Sequence, residues 1–408
     1  MGRKREQPTN AVQPVPGSED QVVGRRFIRL IEDQLAHLRR QPHHGNREVF
    51  FDQIVIAHLL AFFNLGLRSL RKIEDVFEDR HVRKHLGTRR LPKSTLSDAQ
   101  SVFDPALLKS IIVSLQQQAK IQPHDARLDE ITRKLIAVDG SFFTVAPRIA
   151  WAVFNGSGKG NVRGHFQFNV LEGLPEQVSL TDGQTTETSQ LRASLQAGCF
   201  YVLDRGYQDY SLFADIIKAD SDFLVRLRKT AHLETVEERP LTAADQAAGV
   251  QADRLVRIGC RQDQIAELPV LRAVTLAFTN RHGETETLTL VSNRHDLPAW
   301  LIALIYQHRW QVELFFRWLK CTANFNHFFS ESLQGMTLQV YVTMIGLLLI
   351  AIETGAKPST YDYSLMSAAV SGLISMESAL EIAAKRRAER ARAAAWQKEY
   401  NARKKSQA

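Results

Sequence analysis

Cysteine is scarce in this 408-residue chain: Cys199, Cys260 and Cys321 stand far apart, with no Cys-x-x-Cys pair. That excludes a disulfide framework and the common thiolate zinc sites, and it fits a reducing cytoplasm. Long apolar runs are missing too. The most apolar stretch, 340–352, falls short of the ~20 residues a bilayer span needs, so a buried helix is expected there and no membrane partner. The polar, charged beginning (Arg3, Lys4, Arg5) has no apolar stretch behind it of the kind a signal peptide carries. The glycine-rich segment 156–160 lacks the G-x-x-x-x-G-K-[ST] spacing and precedes a strand rather than a helix, which excludes a phosphate-binding loop and leaves a basic turn. No internal repeat is visible.

What is present is a chain with 44% hydrophobic residues, enough for a sizeable core and long enough for two or three structural units. The net charge is +8, and its location matters more than its size. Between Lys385 and Lys405 nine basic residues meet only Glu389 and Glu399, so this end carries +7 and the remainder is almost neutral. An alanine-rich basic helix there suits contact with nucleic-acid phosphates, and equally a solvated tail.

The texture divides the chain. Residues 1–24 form a polar arm with scattered prolines, expected to be loose. Apolar residues three and four apart over 25–130 predict a helical domain, with Ser94 and Asp98 as caps. From 131 to 228 the pattern turns to strands and helices. It comprises a short strand 135–138 followed by a turn at Asp139-Gly140, strands at 166–170, 177–180 and 200–203, helices at 187–195 and 212–218, and a strand at 223–227. Residues 229–292 read as a β-rich insertion whose strands 270–278 and 285–291 flank a hairpin at 280–283. A long helix runs from Pro298 to about Lys320 within a second core segment, 293–356, and helices continue into the basic region 357–408. The expected class is α/β, a mixed sheet covered by helices.

Three acids stand out by position. Asp139 and Asp204 close apolar strands, and Glu313 sits in a helix that is apolar or aromatic on nearly every side, where an unpaired carboxylate is costly. Such acids can supply hard oxygens to two Mg2+ ions, with Mn2+ able to substitute. Two ions about 4 Å apart suit an in-line phosphoryl displacement. Taken singly, each acid has a plainer reading: Asp139 before glycine is a turn residue, Asp204 pairs with Arg205, and Glu313 pairs with Arg309 or Arg317.

Tyr306, Arg309, Glu313 and Lys320 stand at helical offsets that project within about 60° of one another, and the outer two are about 21 Å apart. That length excludes one compact metal site made of all four. It suits one acid at a reacting centre, with a phenol and two cations along successive phosphates. A solvated polar stripe is the alternative, and the flanking Trp310, Phe315, Phe316, Trp318 and Leu319 weigh against it.

The run Y-x2-R-x3-E-x6-K from Tyr306 to Lys320 resembles the signature of bacterial insertion-sequence transposases of the IS-four family. Val138-Asp139-Gly140-Ser141 and Leu203-Asp204-Arg205-Gly206-Tyr207 look like the family's other two blocks, in the same order and with a β-rich insertion before the glutamate. The resemblance extends upstream to Ser69-Leu70-Arg71 and Ser94-Thr95-Leu96-Ser97-Asp98 and covers about 25–355. It implies a ribonuclease-H-like core with a helical DNA-binding domain before it. Asp139, Asp204 and Glu313 would be the catalytic, metal-binding triad for two Mg2+ ions, and Tyr306, Arg309 and Lys320 would contact transposon-end DNA. It further implies cut-and-paste transposition, with terminal inverted repeats and target DNA as partners. A homodimer on paired ends and a cytoplasmic, nucleoid-associated location would go with this. His165 lies where relatives often carry a histidine, and a structural histidine fits as well. Residues 1–20 and the basic C-terminus match no family motif.

Overall fold

The computed structural model describes residues 25–41, 49–64, 66–80, 82–83, 90–119, 125–145, 153–155, 159–259, 268–279, 284–313, 315 and 328–406. It divides into one unit made of 1–99 with 358–408, and a second spanning 100–357.

The chain enters through α1 (Arg25–Arg29), α2 (Glu32–Arg39), α3 (Phe51–Phe63), α4 (Leu70–Glu78) and α5 (Lys93–Val102). α3 is largely apolar and buried along almost its whole length, Asp52, Gln53 and His58 included, so it presents no solvated polar face. Phe27 stacks on Phe63 with centroids 4.5 Å apart. α4 is amphipathic, burying Leu70, Ile73 and Phe77, and the Ser69 side chain caps it by accepting from the Lys72 N–H. Ser94 and Asp98 lie inside α5 rather than at its ends.

The second unit continues with α6 (Lys109–Gln118), β1 (Lys134–Val145), β2 (Val153–Asn155), β3 (Lys159–Asn169), β4 (Leu174–Asp182), α7 (Glu187–Ala193), β5 (Cys199–Leu203), α8 (Tyr210–Lys218) and β6 (Asp222–Arg226). It ends with β7 (Leu233–Arg239), α9 (Ala243–Ala247), β8 (Val250–Ile258), β9 (Leu271–Thr279), β10 (Thr285–Ser292), α10 (Ala299–His308) and α11 (Leu333–Thr354). Ten strands make one mixed sheet in the order β2-β3-β1-β5-β6-β10-β9-β8-β7, with β4 also paired to β3. β1 meets β3 antiparallel and β5 parallel, and β5 meets β6 parallel. From β6 outward every pairing is antiparallel. On one face Ile136, Val138, Tyr201, Leu203, Phe223 and Val225 pack with Leu191 of α7 and Leu212, Phe213 and Ile216 of α8.

Several expectations change. β1 does not stop at Asp139-Gly140 but runs on to Val145, so Asp139 is a strand residue and not a turn residue. The long helix is not uniform: α10 ends at His308, Arg309 is a turn, and helix resumes over 310–313. The tightening shows as i→i−3 bonds, Arg309 N–H to the Tyr306 carbonyl and Val312 N–H to that of Arg309, both 3.1 Å. Lys320 and the hairpin tip 280–283 lie outside the described residues. α11 has 22 residues and a mean hydropathy of 2.0 over its best window, so the length argument against a span does not hold; 89% of that window is buried inside the unit, as in a core helix. Its Tyr341 hydroxyl donates to the Val178 carbonyl of β4.

The last helices, α12 (Thr360–Val370) and α13 (Met376–Ser406), belong to the first unit. The Tyr363 hydroxyl donates to the Phe62 carbonyl, tying α12 to α3. Buried Asp362 caps α12 and accepts from Arg387 of α13 at 2.8 Å.

Candidate active site

The parallel ladder between β1 and β5 pairs Lys134 with Cys199 and Ala137 with Val202. The same register carried two residues further brings Asp139 beside Asp204, on strands about 4.8 Å apart. Because Ile136, Val138, Tyr201 and Leu203 face α7 and α8, alternation turns Asp139 and Asp204 to the opposite face. Each carboxylate is locally braced. Asp139 accepts from the Gly140 N–H at 2.8 Å, and Asp204 from the Gly206 N–H at 2.7 Å as it opens a short 3-10 turn. Among the described residues Asp204 makes no ion pair with Arg205.

Two acids side by side in a half-buried place repel. Burial pushes the Asp139 carboxyl up to about 7, with Arg309 opposing the shift and Asp204 and Glu187 adding to it. Arg309 is the counter-charge. Its guanidinium lies 3.9 Å from Asp139 Oδ2 and donates to Glu313 Oε1 at 2.5 Å, so one cation stands between two of the three expected acids. It also lies over the Tyr306 ring, 5.7 Å from the centroid. Burial opposes the charged guanidinium, yet Tyr306, Glu313 and Asp139 hold its pKa above the ordinary value. Burial likewise raises the Tyr306 phenol, against Arg309 and Arg226. The structure thus gathers Asp139, Asp204, Tyr306, Arg309 and Glu313, while Lys320 lies outside the described residues.

A fourth acid joins from the other face. Glu187, the first residue of α7, carries a carboxylate that fits where Gly140 and Gly206 lack side chains. Burial raises its pKa, Arg163 lowers it, and Asp204 raises it again. Nothing in the sequence marks Glu187, since an acid in the first turn after a Thr186 cap is ordinary helix chemistry. Beside it the fully buried Tyr207 keeps a hydroxyl with no hydrogen-bond partner; burial first, then Glu187, Asp139 and Asp204, raise its pKa far above the usual value. His165 is buried on β3 opposite Gly140, bonded through Nε2 to the Thr181 hydroxyl at 2.7 Å, and burial then Arg163 lower it to about 4. That is a neutral imidazole held by its own sheet.

Among the described residues no three His, Cys, Asp or Glu side chains converge as a metal cage. The donors nonetheless suit a hard divalent cation in kind, being carboxylates carried on or directly after regular elements. The guanidinium between Asp139 and Glu313 shows that positive charge is accommodated there.

Residues 130–349 match the family described as the transposase DDE domain. The chain is 27% identical over 233 residues to a Sinorhizobium fredii protein named "Putative transposase y4zB", a match covering 55% of this chain and 64% of that protein. It is 24% identical over 266 residues to "Probable transposase for insertion sequence element IS5377" of Geobacillus stearothermophilus, covering 65% of this chain and 68% of the relative. The chain therefore spans just under two thirds of the first of these relatives. A solved piggyBac transposase synaptic complex with hairpin DNA aligns at TM-score 0.39 and 9% identity, over 89% of this chain and 78% of that one. On the match to residues 130–349, more than half its length, the chain belongs to the transposase DDE domain family.

Proposed function

We propose that this chain is a DNA transposase of the IS-four type, moving an insertion sequence by cut-and-paste through 3′-end hydrolysis and strand transfer. The observation that carries this is the parallel register that sets Asp139 beside Asp204, with the Arg309–Glu313 pair turned towards them. The fold we infer is a ribonuclease-H-like core. Supporting it are three antiparallel strands, β4, β3 and β1, continuing into the parallel pair β5 and β6, with acids where β1 and β5 meet.

The family's use of divalent metal and the carboxylate chemistry lead us to assign Asp139, Asp204 and Glu313 as the groups that hold two Mg2+ ions, with Mn2+ able to substitute. When bound, the ions supply charge neutralisation at the reacting phosphate. The chain's own residues do the rest. Asp139 and Asp204 are fixed by backbone N–H groups and so point without rearrangement. Arg309 carries a charge that burial does not remove, and with Tyr306 and Lys320 it is our assignment for holding the phosphates of transposon-end DNA. No protein nucleophile is required.

We assign terminal inverted repeats and target DNA as partners, with two copies of the chain acting on paired ends in the nucleoid. The basic helix α13 is a second phosphate-facing element by charge. The test incubates the full chain with labelled end DNA, Mg2+ and a target plasmid. Joined products are expected. Cuts without joining would make the chain a nuclease, and retention without cuts would make it a DNA-binding protein; either outcome overturns the proposal.

A further inference from the structure

Glu187 is half-buried and, among the described residues, its side chain makes no hydrogen bond and no ion pair. Its position is specific. A Cβ built on Gly140 would lie 2.9 Å from the Glu187 Cδ and closer still to Oε1, and one on Gly206 would lie 3.6 Å from Oε2. The carboxylate thus occupies the notch left by Gly140 and Gly206, one and two residues past Asp139 and Asp204, on the side of α7. Arg163, the cation that lowers its pKa, donates through Nη1 to the Thr185 carbonyl at 3.0 Å and lies over the Phe142 ring at 4.3 Å.

A separate feature lies beside Glu187, and the Tyr207 hydroxyl in it is close enough to feel Glu187, Asp139 and Asp204. The Tyr207 hydroxyl is fully buried with no partner and shares a pocket with Glu187 and Gln190. His165 Nδ1 and Gln177 Oε1 line that pocket too, also buried and without partners. A third carboxylate beside two others costs stability unless a cation is shared among them. A packing role is a poor account of it, because an apolar or amide side chain would fill the notch without repulsion.

We propose that Glu187 is a fourth carboxylate of the cation site, sharing with Asp139 and Asp204 the holding of a divalent ion. This rests on the assignment of Asp139 and Asp204 as metal-binding groups. The test measures Mn2+ binding by electron paramagnetic resonance on the full chain, alongside thermal unfolding without metal. E187Q is expected to weaken Mn2+ by about 10–100-fold, the scale at which groups supporting a metal are felt, and to raise the melting temperature because a repelling charge is gone. G140A leaves every acid in place but pushes the Glu187 carboxylate aside, and it should reproduce the loss. E187D, which keeps the charge on a shorter stem, should bind between E187Q and wild type.

Mn2+ affinity of E187Q within twofold of wild type, or a lowered melting temperature with affinity unchanged, overturns the role of Glu187. D139N separates the two levels. If D139N loses Mn2+ and E187Q does not, only Glu187 fails. If E187Q loses it and D139N does not, Glu187 stands and the assignment of Asp139 fails. If wild type shows no saturable Mn2+ binding, both fall.

Discussion

The acids on β1 and just after β5 and the basic residues of α13 are both crowds of like charge, and the protein carries them in opposite ways. On α13 almost every described residue after 387 faces solvent, and among them and their neighbours Arg386 is tethered to Glu389 at 3.0 Å, Arg387 to Asp362, and Arg390 over the Tyr361 ring at 5.5 Å. Water and salt screen such charges, so crowding them costs little and their reach is long. The acids have no such relief. Asp139 is 19% exposed, and its carboxyl sits near 7 even with Arg309 beside it. Charge held at that cost belongs to chemistry at short range, and charge held cheaply belongs to capture.

The sharpest break between the two regions is Glu313→Gln. It should lower end cleavage by about 1000-fold or more, the loss expected when a metal-holding acid is removed. Binding of end DNA should be largely unchanged, and full strand transfer by this variant would refute the assignment.

Arg309→Ala tests whether one arginine serves the acids. It leaves Asp139 and Glu313 without their shared partner. The expected destabilisation falls between the ~1 kcal/mol of an exposed pair and the ~3–5 kcal/mol of a buried one, because Glu313 is 30% exposed. An unchanged denaturant midpoint would show that the guanidinium is not their counter-charge.

Acidity gives a finer probe. Burial raises the folded-state Asp139 pKa to about 7 from an ordinary 3.8, so the stability it contributes is full below about pH 3.8 and is lost as pH climbs through 7. Asp139→Asn removes that titration. Without metal, its melting temperature should rise relative to wild type as pH goes from 4 to 8, and a gap that stays flat would contradict the shift.

The smallest effect belongs to the exposed region. Arg392→Ala on α13 should reduce the slope of log affinity against log salt by about 0.9, one phosphate's worth, with cleavage at saturating DNA unchanged. A slope equal to wild type would remove Arg392 from the DNA contact.

The sequence showed the two aspartates because short apolar runs stop abruptly before them. It did not show that β1 continues past Asp139, since Gly140 and Ser141 read as a turn until β3 is seen pairing with them. Nor could it give the offset that aligns Asp139 with Asp204, which is a property of the ladder and not of either strand. β7 escaped notice because its residues are largely exposed and show no alternation. The i,i+4 pairing of Arg309 with Glu313 was visible in the spacing, whereas the approach of Arg309 to Asp139 depends on how α10 packs. Glu187 was invisible for the same reason: what singles it out is two missing side chains elsewhere, at Gly140 on β1 and at Gly206 in the turn after β5.

The insertion leaves and rejoins the sheet at one place. Leu227 N–H donates to the Thr289 carbonyl, and β6 and β10 run side by side with Arg226 opposite Leu290. Cutting out the intervening residues would therefore leave two ends close enough to rejoin, as a graft requires. It would also strip the remaining β10 residues, Leu290 to Ser292, of their outer neighbour β9, baring a row of N–H and C=O groups beside buried apolar residues of β6. Such an open edge invites pairing with another chain. The insertion thus works as an edge guard, and its removal should show first as aggregation.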